Sequence, residues 1–439
     1  MTATAYWCAR AWLPSGVAEG VRIEVSDGRI TSVQPGTERA GADIALAGLT
    51  VPGMANSHSH AFHRALRGRT HAERGTFWTW RERMYALAER LDPDSYYRLA
   101  RGVYAEMVLA GMTTVGEFHY LHHDRGGRRY AEPNAMSAAL VAAADDAGIR
   151  ITLLDTCYLA GGIGEPVNEL QRRFSDGDAQ GWAERLDTYR PAGAHVRLGA
   201  AIHSVRAVPR QQLPEVAGWA SNAAAPLHVH LSEQPAENEA CQRHYGRSPT
   251  ELLDEEGALG PRTSAVHATH LSDMDISMLG GSGTCVCMCP TTERDLGDGI
   301  GPARRVHDAG APLSLGSDSH AVIDPFEEAR ALELDERLGS QSRGQFSVLE
   351  LRAAATNHAS LGWPEAGQLA VGYAADLVTI APDSVRTAGG EPDGVFFTAS
   401  AADVRDVVVA GRRVVRDGAH EELGDVGVLL AESIGELWP

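Results

Sequence analysis

The chain has 439 residues, of which 44% are hydrophobic, and a formal net charge of −19. This length fits a (β/α)₈ barrel with a smaller attached domain, or about two or three separate domains. The sequence contains no apolar stretch of about 18 residues or more, so no membrane span is expected. The acidic balance argues against a nucleic-acid partner, because phosphate binding needs a dense basic surface, but a few arginines can still hold a small anionic substrate.

Both ends of the chain predict small β-structure. Runs rich in β-branched residues flank turn signals at residues 21–33, with Asp27 and Gly28 at the turn, and again at residues 406–415. Each pattern is typical of a β-hairpin. We therefore expect residues 1–48 and 365–439 together to form one small β-sandwich domain.

The middle of the chain alternates short apolar runs with longer segments of helical periodicity. Such alternation predicts βα units and a parallel sheet. The apolar runs are residues 49–56, 113–118, 150–158, 196–203, 226–231, 264–267, 284–289 and 312–317. Eight such runs favour a closed barrel over an open sheet, so the α/β fold class predicted for residues 49–364 is a (β/α)₈ TIM-like barrel.

Polar residues stand at the ends of the predicted strands. These residues are His58, His60, His119, His203, His230, His267 and Asp318. Active sites of such barrels are built at the carboxyl ends of the strands. The positions of the histidines and the predicted barrel therefore support each other.

Four of these residues form a candidate metal centre. His58 and His60, two residues apart on an extended chain, point to the same side, and His230 and Asp318 complete a nitrogen-rich set suited to zinc or another divalent transition metal. All 39 basic residues are arginine, so no modified lysine can bridge a second ion, and we expect one. His267 could be a further ligand, or it could contact the metal-bound water and the substrate.

Two carboxylates are candidates for proton transfer. A single catalytic metal with an open position activates a water molecule near neutral pH. Asp318 can accept the proton of that water, and Glu233, three residues after His230, is placed to carry a proton to the leaving group.

Longer motifs surround the candidate site residues. One set is Pro52–His60, His230–Glu233, Val266–His270 and Gly316–Asp318, and a second set is Phe77–Arg81, Gly116–His123, Ala201–Arg206 and Cys289–Gly299. The first set resembles the amidohydrolase superfamily, in its mononuclear deaminase branch, and the second resembles the formimidoylglutamate deiminase family within that branch; these are the deiminase motifs. The likeness covers nearly the whole chain.

The resemblance implies zinc-dependent hydrolysis of N-formimino-L-glutamate to N-formyl-L-glutamate and ammonia, in histidine degradation. It implies a zinc ion on His58, His60, His230 and Asp318, with Glu233 and His267 beside it. It also implies that Arg81, Tyr120, His203 and Arg206 hold the two substrate carboxylates, which suits arginine's two-pronged binding of carboxylate.

One position departs from the family pattern. Relatives place a substrate-binding glutamine where this chain has His63, whose imidazole can still donate a hydrogen bond and can carry charge. The alternatives are a deaminase of the same branch acting on a heterocycle or a guanidino acid, and a catalytically inactive barrel scaffold.

The expected setting is the cytoplasm. The N-terminus lacks the pattern of a secretory signal, and six cysteines in so long a chain do not form a disulfide framework. We expect a homodimer that binds a small anionic substrate and neither nucleic acid nor membrane. Residues near Trp78 and residues 122–133 are candidates for a loop that closes over the site.

Overall fold

The structure is a computed structural model and describes residues 4–71 and 77–438. It begins with the strands β1 (Thr4–Leu13), β2 (Gly16–Ser26), β3 (Arg29–Gln34) and β4 (Ile44–Pro52). The first three run antiparallel, and β4 lies parallel to β1 on its other side. Asp27 and Gly28 form the tight turn between β2 and β3 with φ values of 51° and 74°, as the Asp-Gly pair predicts.

A second sheet holds the parallel strands of the barrel. They are β5 (Met54–Ser59), β6 (Met112–His119), β7 (Arg150–Cys157), β10 (Val196–Ile202), β11 (Leu227–Leu231), β12 (Thr263–His267), β13 (Cys285–Met288) and β14 (Leu313–Leu315), with a small hairpin of β8 (Ala160–Gly162) and β9 (Glu165–Pro166) after β7. Within the described residues this sheet has eight strands in chain order, and a bridge between Ser59 and Asp318 joins its two edges. The predicted barrel is confirmed.

The prediction of one continuous barrel strand at residues 49–56 was wrong, because these residues belong to two strands, β4 and β5. The chain changes sheets at Gly53, where a side chain would bring a Cβ within 2.3 Å of Thr113 Oγ1 and 2.9 Å of Asp376 Cβ. The residues before this glycine finish β4, and those after it begin β5. The apolar run continues across the break, so hydrophobicity alone could not reveal it.

Helices cover the barrel. They are α1 (Phe77–Ala88), α2 (Pro93–Leu109), α3 (Ala135–Ala147), α4 (Ala179–Asp187), α5 (Leu213–Asn222), α6 (Pro235–Tyr245), α7 (Pro249–Glu255), α8 (Asp273–Ser282), α9 (Pro290–Leu296), α10 (Ala303–Asp308), α11 (Pro325–Ser340) and α12 (Val348–Ala355). Asp92 separates the first two, because its side chain accepts from Ser95 N and Pro93 opens the next helix. In the described part of the chain, no helix is long and apolar enough to cross a membrane.

The C-terminal strands return to the first sheet. The remaining elements are β15 (Leu377–Ile380), α13 (Val395–Thr398), β16 (Val404–Val409), β17 (Arg412–Arg416), β18 (Ala419–His420) and α14 (Val426–Leu437). β15 pairs with β4, so both chain termini contribute to one sheet, as predicted. We infer that α14 belongs with the barrel, because Leu430 packs over Gly102 of α2.

A buried ion pair joins the terminal sheet to the amino-terminal end of the barrel. Arg150, at the start of β7, donates to Asp376 with Nη2–Oδ1 at 2.6 Å, and Ala410 N donates to the same carboxylate at 2.9 Å. Both side chains are almost fully buried. We call this pair the floor of the barrel.

Candidate active site

The predicted metal-ligating residues meet at the carboxyl end of the barrel. His58 Nε2 lies 3.1 Å from His60 Nε2 and 3.0 Å from His230 Nε2. Asp318 Oδ1 lies 3.2 Å from the Nε2 atoms of both His58 and His60. All four side chains are buried. We call this group the metal cluster.

The hydrogen bonds behind the cluster show that it suits a cation. His60 Nδ1 donates to Phe118 O at 2.9 Å, and His230 Nδ1 donates to His203 O at 2.8 Å. In the neutral ring, each Nε2 therefore presents a lone pair to the centre, beside a carboxylate oxygen. Burial lowers the pKa of His58 to about 3, so the His58 ring is neutral near neutral pH. Three imidazoles and one carboxylate are a donor set typical of zinc.

Closure of the barrel holds Asp318 in place. Its backbone N–H donates to His58 O at 3.0 Å, and its φ of 38° lies in the left-handed region, as does that of His267 at 68°. Burial would raise the pKa of Asp318, but the imidazoles of His58, His60 and His267 around it hold that pKa well below its usual range. Such backbone strain at a buried polar cluster is typical of functional sites.

His267 lies beside the metal cluster rather than within it. Its Nε2 is 3.9 Å from Asp318 Oδ2 and 3.9 Å from Glu233 Oε1, while Nδ1 is 3.4 Å from Glu293 Oε1. Burial would lower the pKa of His267, but Glu233 and Glu293 raise it well above its usual value. Of the two roles left open by the sequence, this position favours contact with the reacting groups.

Glu293 is a functional candidate that the sequence analysis did not single out. It follows β13 on α9, where Cys289 N donates to its Oε1 at 2.9 Å, and the same oxygen faces His267. Its place inside one of the deiminase motifs was the available signal.

Glu233 and Arg206 face each other at the rim of the cluster. Glu233 Oε2 lies 3.9 Å from Arg206 Nη2, and Arg206 Nε donates to Glu237 Oε2 at 3.0 Å. Glu237 is fully buried on α6. The sequence analysis missed Glu237, which lies in the first turn of the helix that follows Glu233.

The other predicted substrate-binding residues line one pocket with the cluster. His63 Nε2 lies 3.0 Å from Tyr120 Oη, and both side chains are buried. Arg81 Nε donates to Tyr85 Oη at 2.7 Å, and His203 lies across the pocket. Burial lowers the pKa of His63 well below its usual value, so the charge that the sequence allowed at this position is not expected near neutral pH.

The pocket also contains residues to which the sequence analysis gave no role. They are Trp80, Met84, Tyr85, Tyr158, Phe174 and Leu296. His119, although it ends β6, does not line the pocket: its ring packs against that of His122 with centroids 4.9 Å apart. Of the two candidate lid segments, residues 72–76 near Trp78 lie outside the described residues, and in residues 122–133 the two histidines, His122 and His123, are buried.

Two family models match the chain. The amidohydrolase family matches residues 49–414, and the N-terminal domain of the formimidoylglutamate deiminase HutF matches residues 4–45. The formimidoylglutamate deiminase of Pseudomonas aeruginosa is 39% identical to this chain, with 99% of each protein covered. The 8-oxoguanine deaminase of the same organism is 30% identical, with 93% of this chain and 92% of the relative covered.

Solved structures share the fold. An amidohydrolase from Brucella melitensis is 33% identical with a TM-score of 0.90, covering 99% of this chain and 100% of that one. A zinc-bound adenosine deaminase from Xanthomonas campestris is 21% identical with a TM-score of 0.84, covering 99% and 97%, which supports the fold alone.

Proposed function

This chain belongs to the amidohydrolase family, and within it we propose a formimidoylglutamate deiminase that hydrolyses N-formimino-L-glutamate to N-formyl-L-glutamate and ammonia. The observation that carries the proposal is a metal cluster facing a pocket wall with two arginines, Arg81 and Arg206. A dicarboxylate substrate needs such a wall, because the guanidinium fork binds carboxylate in two-pronged fashion.

One zinc ion is proposed for the metal cluster. His58, His60, His230 and Asp318 would hold it, and their converging lone pairs in a buried site support this assignment. A bound divalent ion would supply the site with a water of lowered pKa, reactive near neutral pH.

Glu233 and His267 would handle the protons. Glu233, between His267 and Arg206, would carry one proton of the attacking water to the departing nitrogen, since an unprotonated amide anion is too poor a leaving group, and Asp318 would accept the other proton of that water. His267 has a raised pKa and therefore carries its proton, and it would donate a hydrogen bond to the oxygen that adds to the formimino carbon. Glu293 would hold its ring in place.

The wall of the pocket would select the substrate. Arg206, fixed through its Nε by Glu237, would bind one carboxylate, and Arg81 with Tyr120 would bind the other. His63 would act as a neutral hydrogen-bonding partner of Tyr120.

Ammonia release tests the proposal directly. The zinc-loaded protein would be assayed with N-formimino-L-glutamate, guanidino acids and aminated heterocycles, including 8-oxoguanine. We expect rapid release from N-formimino-L-glutamate alone. Release only from another compound would keep the deaminase chemistry and reject the substrate, and release from none would favour the scaffold alternative.

The cellular setting is a further proposal. All six cysteines, each among the described residues, are free and buried, which supports a cytoplasmic enzyme of histidine degradation. The homodimer and the absence of nucleic-acid binding stay predictions.

A further inference from the structure

Two tyrosines without an assigned role line the pocket next to Arg81. Tyr85 lies on α1, and Tyr158 follows β7. The side chain of Gln171 lies between them, with Nε2 at 3.0 Å from Tyr85 Oη and 3.0 Å from Tyr158 Oη. Gln171 is 3% exposed.

The orientation of the Gln171 amide follows from its backbone neighbours. Asn168 N donates to Gln171 Oε1 at 2.9 Å, and Gln171 N donates to Asn168 Oδ1 at the same distance. A backbone N–H can only donate, so the amide oxygen must face it and the NH₂ group must face the tyrosines. Gly161 leaves room for this arrangement, because a Cβ there would lie 2.8 Å from Gln171 Oε1.

This orientation decides the direction of the tyrosine hydroxyls. Both oxygens accept from Gln171, and Tyr85 Oη also accepts from Arg81 Nε at 2.7 Å. Each tyrosine therefore keeps its own O–H proton for another acceptor. Among the described hydrogen bonds, none passes such a proton to a carbonyl or carboxylate, and if one hydroxyl turns to the other, one proton still remains. Burial raises the pKa of Tyr158, so its hydroxyl stays protonated.

We propose that Tyr85 and Tyr158, oriented by Gln171, donate hydrogen bonds to one carboxylate of a dicarboxylate substrate bound beside Arg81. Hydrogen bonds from a hydroxyl to an ionised carboxylate are short and strong, so these residues determine specificity for the diacid. Gln171 is a positioning residue. The inference rests on the proposed function for the identity of the substrate.

The test compares Tyr158→Phe and Tyr85→Phe with the wild-type zinc-loaded enzyme. Each loses one hydrogen bond to a charged group, so we expect the KM for N-formimino-L-glutamate to rise about tenfold or more, with kcat and zinc content little changed. Gln171→Glu replaces the amide donors with an acceptor that captures both hydroxyl protons, and it should raise KM further. Tyr97→Phe removes a hydroxyl that pairs with Asp146 away from the pocket, and it is the matched control.

A normal KM in both Tyr158→Phe and Tyr85→Phe would overturn the inference while leaving the proposed function intact. If the wild-type protein releases no ammonia from N-formimino-L-glutamate, the proposed function fails, and equilibrium binding of glutarate then decides the inference. Weaker glutarate binding by Tyr158→Phe than by wild type would support the tyrosine pair. Equal binding, or no binding by wild type, would overturn it.

Discussion

The floor and the metal cluster, two buried charged groups at opposite ends of the barrel, differ in which partners their polar atoms have. At the floor, Arg150 and Asp376 pair with each other, and Ala410 N adds a further donor to the carboxylate. At the mouth, the ring nitrogens of His58 and His230 face each other at 3.0 Å beside the Asp318 carboxylate, and His267 lies 3.9 Å from that carboxylate rather than in a close ion pair with it. The floor is complete within the protein, whereas the mouth presents a donor set that could hold a metal ion.

This difference separates structural from functional burial. Burying a charge costs free energy unless a partner compensates it, so an uncompensated arrangement persists only where a ligand completes it. The criterion also applies to His119, His122 and Asp155, which could by composition hold a metal. Asp155 is already bound by Arg185 at 2.8 and 3.0 Å and by Trp182 at 2.9 Å, so this group resembles the floor.

The largest expected effect is on turnover at the mouth. Glu233→Gln keeps the shape of the side chain but cannot carry a proton, so kcat should fall by about 10²- to 10⁴-fold. Zinc content and substrate binding should stay normal, as measured by metal analysis and equilibrium binding. Near-normal turnover would show that another group moves the proton.

The next effect breaks the floor. Arg150→Met leaves Asp376 buried and unpaired, which should lower the free energy of unfolding by about 3–5 kcal/mol in denaturant titrations. Asp318→Ala, the matched variant at the mouth, should lose zinc binding without a comparable loss of stability in the metal-free protein. Equal destabilisation by both variants would erase the distinction between the two groups.

The floor also predicts a pH dependence. Burial alone would raise the pKa of Asp376, but the charge and hydrogen bonds of Arg150 lower it by more than burial raises it. The pKa of Asp376 is therefore below the usual 3.8. A carboxyl with a depressed folded pKa stabilises the fold above its unfolded pKa, and that stabilisation is lost as pH falls through the folded pKa. Between about pH 4 and 2, wild-type unfolding free energy should therefore fall more steeply than that of Asp376→Asn. Parallel profiles would contradict this assignment.

A third effect is on substrate binding. Arg206→Ala removes the guanidinium beside Glu233. The KM should therefore rise by a factor that corresponds to a loss of about 2 kcal/mol or more of binding free energy, with zinc content unchanged. Glu237→Gln is the comparison variant. It keeps the Arg206 guanidinium and weakens only the contact between Arg206 Nε and residue 237. Loss of zinc in Arg206→Ala would give this arginine a structural role.

The smallest effect is expected at His63. Because this histidine is neutral, His63→Gln replaces one neutral hydrogen-bonding group with another, and KM should change by less than about tenfold. His63 should also add no pH dependence to the wild-type KM between pH 6 and 8, because it stays neutral over this range. A large change in the variant would indicate a charged His63.

The sequence by itself determined the barrel, the terminal sheet and the residues of the metal cluster. Alternating apolar residues, the Asp27 and Gly28 turn and the two-residue spacing of His58 and His60 are local patterns, and local patterns are legible in a single chain. The strand-end position of His230 carried the prediction further, because parallel strands of a barrel bring their ends to one face.

Only the tertiary structure decided which polar groups meet outside the metal cluster. The chain changes sheets at Gly53, where distant residues leave no space for a side chain. Arg206 meets Glu237, Gln171 donates to two tyrosine hydroxyls that line the pocket, and burial neutralises His63. Hydrogen-bond direction and charge depend on neighbours contributed by distant parts of the chain, and such neighbours leave no local pattern in the sequence.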